Sequence, residues 1–386
     1  MSNLTNELDL LKEFVLIDSQ TKNQSGVAQV QEIFGSYLHE IGFTINKISS
    51  TKNNNHYLLE AIMASNNTSQ EDFITLVTHA DTVLGKEDFK KTFSVSDDKS
   101  KAYGPGVIDI KGGIVIALLA LKKYFTENTS NNLPIKVICS PNEEIGSIGF
   151  WDALKNIGKT SKLVIGLEPS SNNSHDVICS RRGGVWYQIT VKGEKAHCGR
   201  NPRSGSNAGF ELSKIVSAIG DLNIEFPDID INVGTIKSDC NTFNVVCDHA
   251  VAKIDFRFNN NQQKSIIDKK VREIVNKTHL NFGNKNFIKQ IEIKDDCPCF
   301  VKNVASDLYI DKYIQTYKEV TNQNIKAQSI GGSSDCNYMF NPKTAFIDGL
   351  GAIGYGLHQH DECLITSSLQ LRSNVLAAFL HQLNLV

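Results

Sequence analysis

The chain has 386 residues, a formal net charge of −2, 40% hydrophobic residues and 21% charged residues. This length allows two domains with a large core, and the composition is that of a globular protein. The balanced charge argues against a nucleic-acid partner, and no apolar run approaches the roughly 20 residues of a membrane helix. The amphipathic N-terminus lacks the apolar region of a signal peptide, and the nine scattered cysteines suit reduced thiols. We therefore expect a cytoplasmic protein without a membrane partner.

The first half of the chain alternates helical and extended patterns. Apolar residues recur every three or four positions over 6–17 and 27–42, which predicts two helices, and a further helix begins near Ile114. Short apolar runs predict strands at 43–48, 57–62, 72–77, 134–140 and 163–167. This alternation predicts an α/β fold with a central, mostly parallel sheet flanked by helices, whose loops at one edge carry function.

A histidine and an aspartate follow the strand predicted at 72–77, in Thr78-His79-Ala80-Asp81-Thr82. Side chains two residues apart lie on the same side of an extended chain. Asp81 can therefore bind one imidazole N–H of His79 and leave the other ring nitrogen for a metal. An isolated pair of this kind is more often structural, so its meaning depends on the segments that follow.

Asp109 lies in a glycine-rich turn immediately before the helix that begins near Ile114. Glycines at 104, 106, 112 and 113 allow the backbone to pass close to a ligand or to another part of the chain. A carboxylate in such a turn is costly to bury unless it is paired or bound to a metal. The alternative is that Asp109 caps the helix near Gly112.

Three glutamates follow the next two predicted strands. Glu143 and Glu144 come after the strand at 134–140, and Glu168 comes after the strand at 163–167. Two adjacent carboxylates at a strand end can divide the binding of a metal from the transfer of a proton. The alternative for this pair is a solvated loop or a helix N-terminus, which favours acidic residues.

The pattern changes near Ser180. Amphipathic strands and helices then follow in β-α-β-β-α-β order, with strands at 185–191, 229–236, 251–258 and 287–293 and helices at 207–219 and 265–277. This order predicts an inserted α+β domain of the ferredoxin-like type. The α/β pattern then returns, with a helix at 306–321, a loop at 329–335, a strand at 344–347, a loop at 354–362 and a helix at 367–385.

Five segments in this order resemble the motifs of the M20 family of metallopeptidases, which are co-catalytic dizinc hydrolases. The segments are Thr78-His79-Ala80-Asp81-Thr82, Gly104-Pro105-Gly106 through Asp109-x-Lys111-Gly112-Gly113, Asn142-Glu143-Glu144-Ile145-Gly146, Glu168-Pro169 and His358-Gln359-His360-Asp361-Glu362. The resemblance covers nearly the whole chain. It leans towards the glutamate carboxypeptidase (carboxypeptidase G2-like) branch, with acetylornithine deacetylase and succinyl-diaminopimelate desuccinylase as relatives.

The resemblance implies a domain organisation. A zinc-peptidase-like catalytic domain would consist of residues 1–179 and 295–386, and residues 180–294 would form an inserted dimerisation or lid domain. We therefore expect a homodimer that associates through the inserted domain.

The resemblance also implies two Zn²⁺ ions per subunit, with Co²⁺ or Mn²⁺ as alternatives. Asp109 would bridge the two metals, His79 and Glu168 would complete one site, and Glu144 and His358 would complete the other. Imidazole and carboxylate ligands suit zinc, and a metal pair needs a shared anionic ligand.

Two further residues receive roles from the resemblance. Asp81 would support the first histidine ligand, and Glu143 would be the general base that moves the proton of the attacking water. We expect the last ligand to be His358, because the family places it four residues before a glutamate, here Glu362. The alternative ligand is His360.

Residues outside the metal site are implied to bind substrate. His197 resembles the histidine that reaches the active site of a partner subunit and stabilises the transition state, with an exposed hairpin histidine as the alternative. Asn244 and Arg257 would hold a substrate carboxylate, and their alternative is a polar residue that faces solvent. Backbone N–H groups of Gly331 and Gly332 could also meet a carboxylate.

These observations predict a zinc-dependent hydrolase of an amide or peptide bond. We expect a carboxypeptidase that releases a C-terminal residue, such as glutamate, from a small peptide or an N-acyl amino acid. The alternatives are an N-acyl amino acid deacylase of the acetylornithine deacetylase or succinyl-diaminopimelate desuccinylase type, or a dipeptidase. A non-catalytic binding protein is a further alternative, but it would have no reason to keep Glu143 beside Glu144.

Overall fold

A computed structural model describes residues 6–52, 55–64, 73–127, 133–170, 174–281 and 283–384. The chain divides into two compact units. The main unit consists of Met1–Arg181 and Phe300–Val386, and the inserted unit consists of Arg182–Cys299. The corresponding boundaries were predicted after residues 179 and 294.

The helices and strands are numbered along the chain. The first segment of the main unit contains α1 (Glu7–Val15), α2 (Gln24–Ile41), β1 (Thr44–Ser49), β2 (Tyr57–Met63), β3 (Phe73–His79), β4 (Ser94–Val95), β5 (Lys101–Tyr103), α3 (Lys111–Glu127), β6 (Ile135–Ser140), α4 (Trp151–Lys159), β7 (Ser161–Gly166) and β8 (Val177–Arg181). The inserted unit contains β9 (Gly183–Lys192), α5 (Ala208–Gly220), α6 (Leu222–Glu225), β10 (Asp230–Ser238), β11 (His249–Phe258), α7 (Asn261–Asn276) and β12 (Ile288–Cys297). The second segment of the main unit contains α8 (Val304–Thr321), β13 (Ala327–Ile330), α9 (Asp335–Met339), β14 (Ala345–Ile347), β15 (Gly354–Tyr355), β16 (Cys363–Ile365) and α10 (Ser367–Asn384).

The central sheet of the main unit has the strand order β1-β2-β6-β3-β7-β14. The strands β6, β3, β7 and β14 run parallel, and β2 is antiparallel to both of its neighbours. Every residue of β3 and β6 is buried, which explains why these strands appear in the sequence as predominantly apolar runs, with Lys136 the charged exception in β6. Residues of α1, α2, α3, α8 and α10 share one hydrophobic core with the sheet. The predicted α/β fold with a mostly parallel sheet is confirmed.

The order of the strands brings three segments of the predicted site together. β3 lies between β6 and β7, with His79 paired to Ser140 and Val77 paired to Gly166. The carboxyl ends of neighbouring parallel strands meet at the same edge of a sheet. The segments that begin at His79, at Glu143 and at Glu168 therefore start side by side.

The inserted unit has the sheet order β10-β11-β9-β12, and all of its pairs are antiparallel. With α5 after β9 and α7 after β11, this is the predicted β-α-β-β-α-β topology. Alternate residues of β9 and β11 are buried, among them Ile189 and Ile254, which contribute to a separate core. Asn207 caps α5 by accepting a hydrogen bond from the amide of Phe210.

The main chain leaves the main unit and returns to it at one point. The amide of Arg181 donates to the carbonyl of Phe300 over 2.8 Å, and the amide of Phe300 donates to the carbonyl of Arg181 over 3.1 Å. The inserted unit is therefore attached through two strands of backbone that are hydrogen-bonded to each other.

Two small sheets in the main unit were not predicted, namely β13-β8 and β15-β16-β5-β4. Their strands are too short to show a period in the sequence. As a result, the loop predicted at 329–335 begins within β13, and the loop predicted at 354–362 begins with β15. Asp72 and Leu385, at the ends of a predicted strand and helix, lie outside the described residues. No helix among the described residues is long and apolar enough to cross a membrane.

Candidate metal centre

Two imidazoles contact the two oxygens of one carboxylate. Nε2 of His79 lies 3.2 Å from Oδ1 of Asp109, and Nε2 of His358 lies 3.3 Å from Oδ2. Each imidazole nitrogen also lies near a glutamate. Oε1 of Glu168 is 3.6 Å from Nε2 of His79, and Oε2 of Glu144 is 3.4 Å from Nε2 of His358. The structure thus brings all five predicted ligands together as two groups that share Asp109.

The chemistry of these residues fits divalent metal ions. Imidazole nitrogen and carboxylate oxygen are ligands that zinc takes, and a shared carboxylate serves a metal pair. His79, Asp109 and Glu144 offer ligand atoms that all lie within 4.8 Å of one another. Oε1 of Glu144 is buried and has no hydrogen-bond partner in the described part of the chain. Such a buried acceptor is unfavourable on its own, and a cation would satisfy it.

The electrostatics of this cluster also favour cations. Burial, followed by the charge of Asp109, raises the pKa of Glu144 to about 7 and raises the pKa of Glu168 well above its usual value. Burial opposes ionisation of Asp109, but its two imidazole partners hold its pKa well below its usual value. Hydrogen bonds to Asp109 and then Glu144 raise the pKa of His358 to about 10. Burial opposes protonation of His79, but its hydrogen bonds to Asp109 and Asp81 raise its pKa well above the usual value. Without metal, the cluster therefore carries protons on the glutamates and on both histidines.

His79 is held in the tautomer that a metal ligand needs. It is buried at the end of β3, and its Nδ1 lies 2.9 Å from the main-chain oxygen of Asp81 and 3.3 Å from the carboxylate oxygen Oδ1 of that residue. In the neutral imidazole the proton therefore resides on Nδ1, and Nε2 can coordinate once it has lost its own proton. We predicted the carboxylate of Asp81 as the partner, and the structure places its main-chain carbonyl closer.

The carboxylate of Asp81 also fixes the paired glutamates. Its Oδ1 accepts a hydrogen bond from the amide of Glu143 over 3.0 Å, and its Oδ2 accepts from the amide of Glu144 over 3.3 Å. The hydroxyl of Thr21 donates to Oδ2 over 2.8 Å. Asp81 therefore links the end of β3 to the turn that carries both glutamates.

A second carboxylate, which the sequence analysis did not assign, holds the same turn from its other side. Asp335 is buried and accepts hydrogen bonds from the hydroxyls of Ser140 and Ser147. These two serines flank the turn on either side of Glu143 and Glu144. The only signal in the sequence was the position of Asp335 at the end of the loop predicted at 329–335.

Glu362 holds the turn that carries Asp109. This residue is buried, its Oε2 accepts from the amide of Gly106 over 2.8 Å, and its Oε1 accepts from the amides of Ile108 and Asp109 over 2.9 and 3.1 Å. We had used Glu362 only to choose His358 as the ligand. The structure gives it a direct structural role, because it binds three amides of the Asp109 turn.

The two histidines of the last motif occupy different surroundings. His358 is half-exposed, has a left-handed backbone conformation with φ of 60°, and faces Asp109 and Glu144. His360 is exposed, and its Nδ1 lies 2.9 Å from the main-chain oxygen of Asp88. The structure therefore places His358 in the cluster and His360 outside it.

The cluster opens onto a cavity of about 570 Å³ in the main unit. Asp109, Glu143, Glu144, Glu168, Arg181, Gly332, Tyr355 and His358 are among the residues that line it. Nε of Arg181 lies 2.7 Å from Oδ2 of Asp348, and Nη1 donates to the carbonyl of Gly332 over 3.1 Å. The hydrogen bond from Nη1 holds the predicted substrate loop at the wall of the cavity through Gly332, and both Gly331 and Gly332 are exposed.

The remaining predicted residues belong to the inserted unit. His197 is exposed, and its Nδ1 accepts a hydrogen bond from the amide of Gly199 over 3.0 Å. Asn244 is exposed, and its main-chain oxygen accepts from the amide of the residue after His197 over 3.0 Å. Arg257 lies on β11, and its Nε donates to Asp255 over 3.0 Å. The contacts named here for these residues lie within the inserted unit.

Comparison with known proteins identifies the family. The model of peptidase family M20/M25/M40 matches residues 75–382. The chain belongs to this family. Carboxypeptidase G2 of Pseudomonas sp. (strain RS-16) is 26% identical over 349 residues, which are 90% of this chain and 82% of that protein. Succinyl-diaminopimelate desuccinylase of Vesicomyosocius okutanii is 23% identical over 389 residues, which cover 96% of this chain and 97% of that protein.

Solved structures agree on the fold. A tripeptidase from Staphylococcus aureus matches with a TM-score of 0.79 at 20% identity and covers 100% of this chain and 99% of its own. The M20 family metallo-carboxypeptidase Sso-CP2 from Sulfolobus solfataricus matches with a TM-score of 0.78 at 16% identity. The match covers 99% of this chain and 100% of that protein's chain. The predicted resemblance and fold class are confirmed, and so is the prediction of a metal-dependent hydrolytic enzyme.

Proposed function

We propose that the protein is a dizinc carboxypeptidase that releases a C-terminal residue, glutamate first among them, from a small peptide or an N-acyl amino acid. The observation that carries this proposal is Asp109, which has an imidazole on each carboxylate oxygen and a glutamate beside each imidazole. The similarity to carboxypeptidase G2 supports the release of a C-terminal residue.

We assign both zinc ions to Asp109, one of them to His79 and Glu168, and the other to Glu144 and His358. When bound, such a metal pair polarises a carbonyl and lowers the pKa of water. Co²⁺ and Mn²⁺ are alternatives, since imidazole and carboxylate ligands also accept them.

Glu143 is the general base in this proposal. It takes a proton from the attacking water and gives it to the leaving amine. Burial, followed by the charge of Glu168, raises the pKa of Glu143 well above its usual value, which increases its affinity for a proton. The hydrogen bond from its amide to Asp81 fixes the main chain that positions this carboxylate.

We assign the binding of substrate to the remaining predicted residues. His197 stabilises the transition state in the active site of a partner subunit, and the hydrogen bond from Gly199 to its Nδ1 favours the tautomer that carries the proton on Nε2. Asn244 and Arg257 bind a substrate carboxylate. The amides of Gly331 and Gly332 provide a further contact for such a group.

The assembly and the compartment complete the proposal. We infer a homodimer formed through the inserted unit, in a reducing cytoplasm. All nine cysteines lie in the described part of the chain and are free thiols, which supports a reducing compartment.

A second candidate function is the removal of an acyl group from an N-acyl amino acid. The succinyl-diaminopimelate desuccinylase relatives, which match nearly the full length of the chain, favour this alternative. The same five ligands and the same base serve either reaction, because both break an amide bond. A dipeptidase would also use this centre.

The test is the zinc content of the purified protein, together with hydrolysis of a panel of substrates. The panel contains folate-like and other N-acyl glutamates, N-acetylornithine, N-succinyl-diaminopimelate and simple dipeptides. We expect about two zinc ions per chain and release of glutamate that a chelator stops. If the protein has the same zinc content but cleaves another member of the panel, the proposed mechanism stands and the proposed substrate changes. No zinc and no turnover after reconstitution would overturn the proposal.

A further inference from the structure

One arginine in the main unit is buried without an anionic partner. Arg372 lies on α10 and is fully buried, and its Nη1 donates to the main-chain carbonyl of Gly349 over 3.2 Å. Its Nε and Nη2 atoms have no hydrogen-bond partner among the described residues. The ion pairs that arginines form in the described part of the chain involve other arginines. A buried guanidinium in this state is strongly unfavourable unless an anion accompanies it.

Three other side chains with buried polar atoms lie near this guanidinium. Tyr313 and Tyr317 lie on α8 and are fully buried, and no well-formed hydrogen bond satisfies their hydroxyls in the described part of the chain. The hydroxyl of Tyr313 faces Arg372 and that of Tyr317 faces Thr321. Nδ1 of His175 also has no hydrogen-bond partner among the described residues, and its ring centre lies 5.5 Å from that of Tyr317. Burial raises the pKa of both tyrosines, and the charge of Arg372 opposes that rise. Burial and then Arg372 lower the pKa of His175 to about 4. The positive charge of Arg372 therefore lowers the pKa of all three side chains.

These polar atoms share one property, which is that each is a hydrogen-bond donor or can act as one. Arg372 contributes three N–H groups, one on Nε and two on Nη2, the two tyrosines contribute O–H groups, and the neutral imidazole of His175 contributes an N–H in one tautomer. The group contains no carboxylate. A water molecule would accept from such donors but would leave the charge of Arg372 uncompensated. An anion would satisfy the donors and the charge together.

We propose that Arg372, Tyr313, Tyr317 and His175 form a binding site for a small inorganic anion, chloride, between α8 and α10. A monovalent halide matches the single positive charge of the cluster and accepts hydrogen bonds from any direction. Because three of the four side chains are fully buried, a compact ion fits the surroundings better than a carboxylate or a phosphate. The site uses none of the residues of the metal centre, so its function is to stabilise the main unit.

The first test compares the melting temperature of the zinc-loaded, full-length protein in chloride and in gluconate at equal ionic strength. We expect chloride to raise Tm by about 2–4 °C when its concentration is about ten times its Kd. Tyr313→Phe and Tyr317→Phe keep the ring and remove one donor each, so each variant should lose part of this difference. Arg372→Met should abolish it. Tyr309→Phe is the matched control, because Tyr309 lies on the same helix, and it should keep the full difference.

The second test locates the ion. A crystal grown in bromide should show an anomalous scattering peak within hydrogen-bonding distance of the Arg372 guanidinium. The proposal would be overturned if the unmodified protein had the same Tm in both salts and the crystal showed only water at these donors. A chloride effect that persists in both tyrosine variants and in Arg372→Met would also overturn it, because the ion would then act elsewhere. If Arg372→Met fails to fold, the two tyrosine variants and the bromide peak decide the question.

Discussion

The metal centre of the main unit and the candidate substrate residues of the inserted unit are held in different ways. His79 and Asp81 are fully buried, and the turns that carry Asp109 and the paired glutamates are bound by carboxylates from distant parts of the chain. His197 and Asn244 are exposed, and the hydrogen bonds that they accept come from main-chain amides between Cys198 and Asn201. The residues of the metal centre are thus fixed by contacts from several distant segments, whereas His197 and Asn244 are held by main-chain groups close to them.

The sharpest test of this comparison concerns the least buried ligand. We expect His358→Ala to reduce the zinc content from about two ions to about one and to lower turnover by more than about 10³-fold, because metal-ion catalysis is worth several kcal/mol. His360→Ala is the matched control, since its imidazole contacts the carbonyl of Asp88, and it should keep both ions. Zinc analysis and steady-state kinetics check both variants. The reverse pattern would make His360 the ligand.

The general base should separate chemistry from metal binding. We expect Glu143→Gln to lower kcat by about 10²–10⁴-fold, the usual contribution of acid–base catalysis, while zinc content stays unchanged. Glu87→Gln, at an exposed glutamate on a 3₁₀ turn, serves as the control for the loss of one negative charge. Turnover of Glu143→Gln close to that of the unmodified protein would remove Glu143 from this role.

The inserted unit offers the contrasting case. We expect His197→Ala to lower kcat by about 10²–10³-fold, the effect of removing one donor to an oxyanion, with both zinc ions retained. His381→Ala, at a histidine paired with Glu127, controls for the loss of an imidazole elsewhere in the chain. A loss of zinc from His197→Ala would instead place His197 among the metal ligands and break the distinction between the two regions.

The smallest predicted effect is the pH dependence of zinc binding to the metal-free protein. Glu144, with a pKa raised to about 7 by burial, and His358, with a pKa raised to about 10 chiefly by its hydrogen bond to Asp109, must both lose a proton before they coordinate. Zinc affinity should therefore rise with pH between about 6 and 8, by up to about tenfold per pH unit for each proton released.

The same shift has a consequence for stability. The folded, metal-free protein holds the proton of Glu144 more tightly than the unfolded chain does, so this stabilisation is present below about pH 4 and is lost as the pH rises through about 7.

The pH dependence of zinc binding can be measured directly. Calorimetric titration in two buffers with different ionisation enthalpies measures the protons released on zinc binding. Affinity independent of pH, without proton release, would contradict these pKa shifts.

Much of the architecture could be predicted because the relevant signals are local. His79, Glu143 and Glu168 each follow a short apolar run, and parallel strands that are neighbours place such segments side by side. The inserted unit could be predicted because strands such as β9 and β11 alternate apolar and polar residues, which is the pattern of a sheet with one covered face.

The supports of the site could not be predicted, because they depend on contacts between distant parts of the chain. Glu362 binds the amides of Gly106, Ile108 and Asp109, and Asp335 binds the hydroxyls of Ser140 and Ser147. A carboxylate that binds a distant amide or hydroxyl leaves no local pattern of spacing. The short strands β13 and β15 escaped prediction for a related reason, since their pairing partners β8 and β16 define them and their own few residues do not.

The paired amides and carbonyls of Arg181 and Phe300 have a consequence for how this protein can diversify. Because the inserted unit starts and ends at one hydrogen-bonded point, its length and sequence can change without altering the distance that the main chain must span. Under the proposed function, residues of the inserted unit that bind substrate can therefore change while the metal ligands of the main unit stay the same.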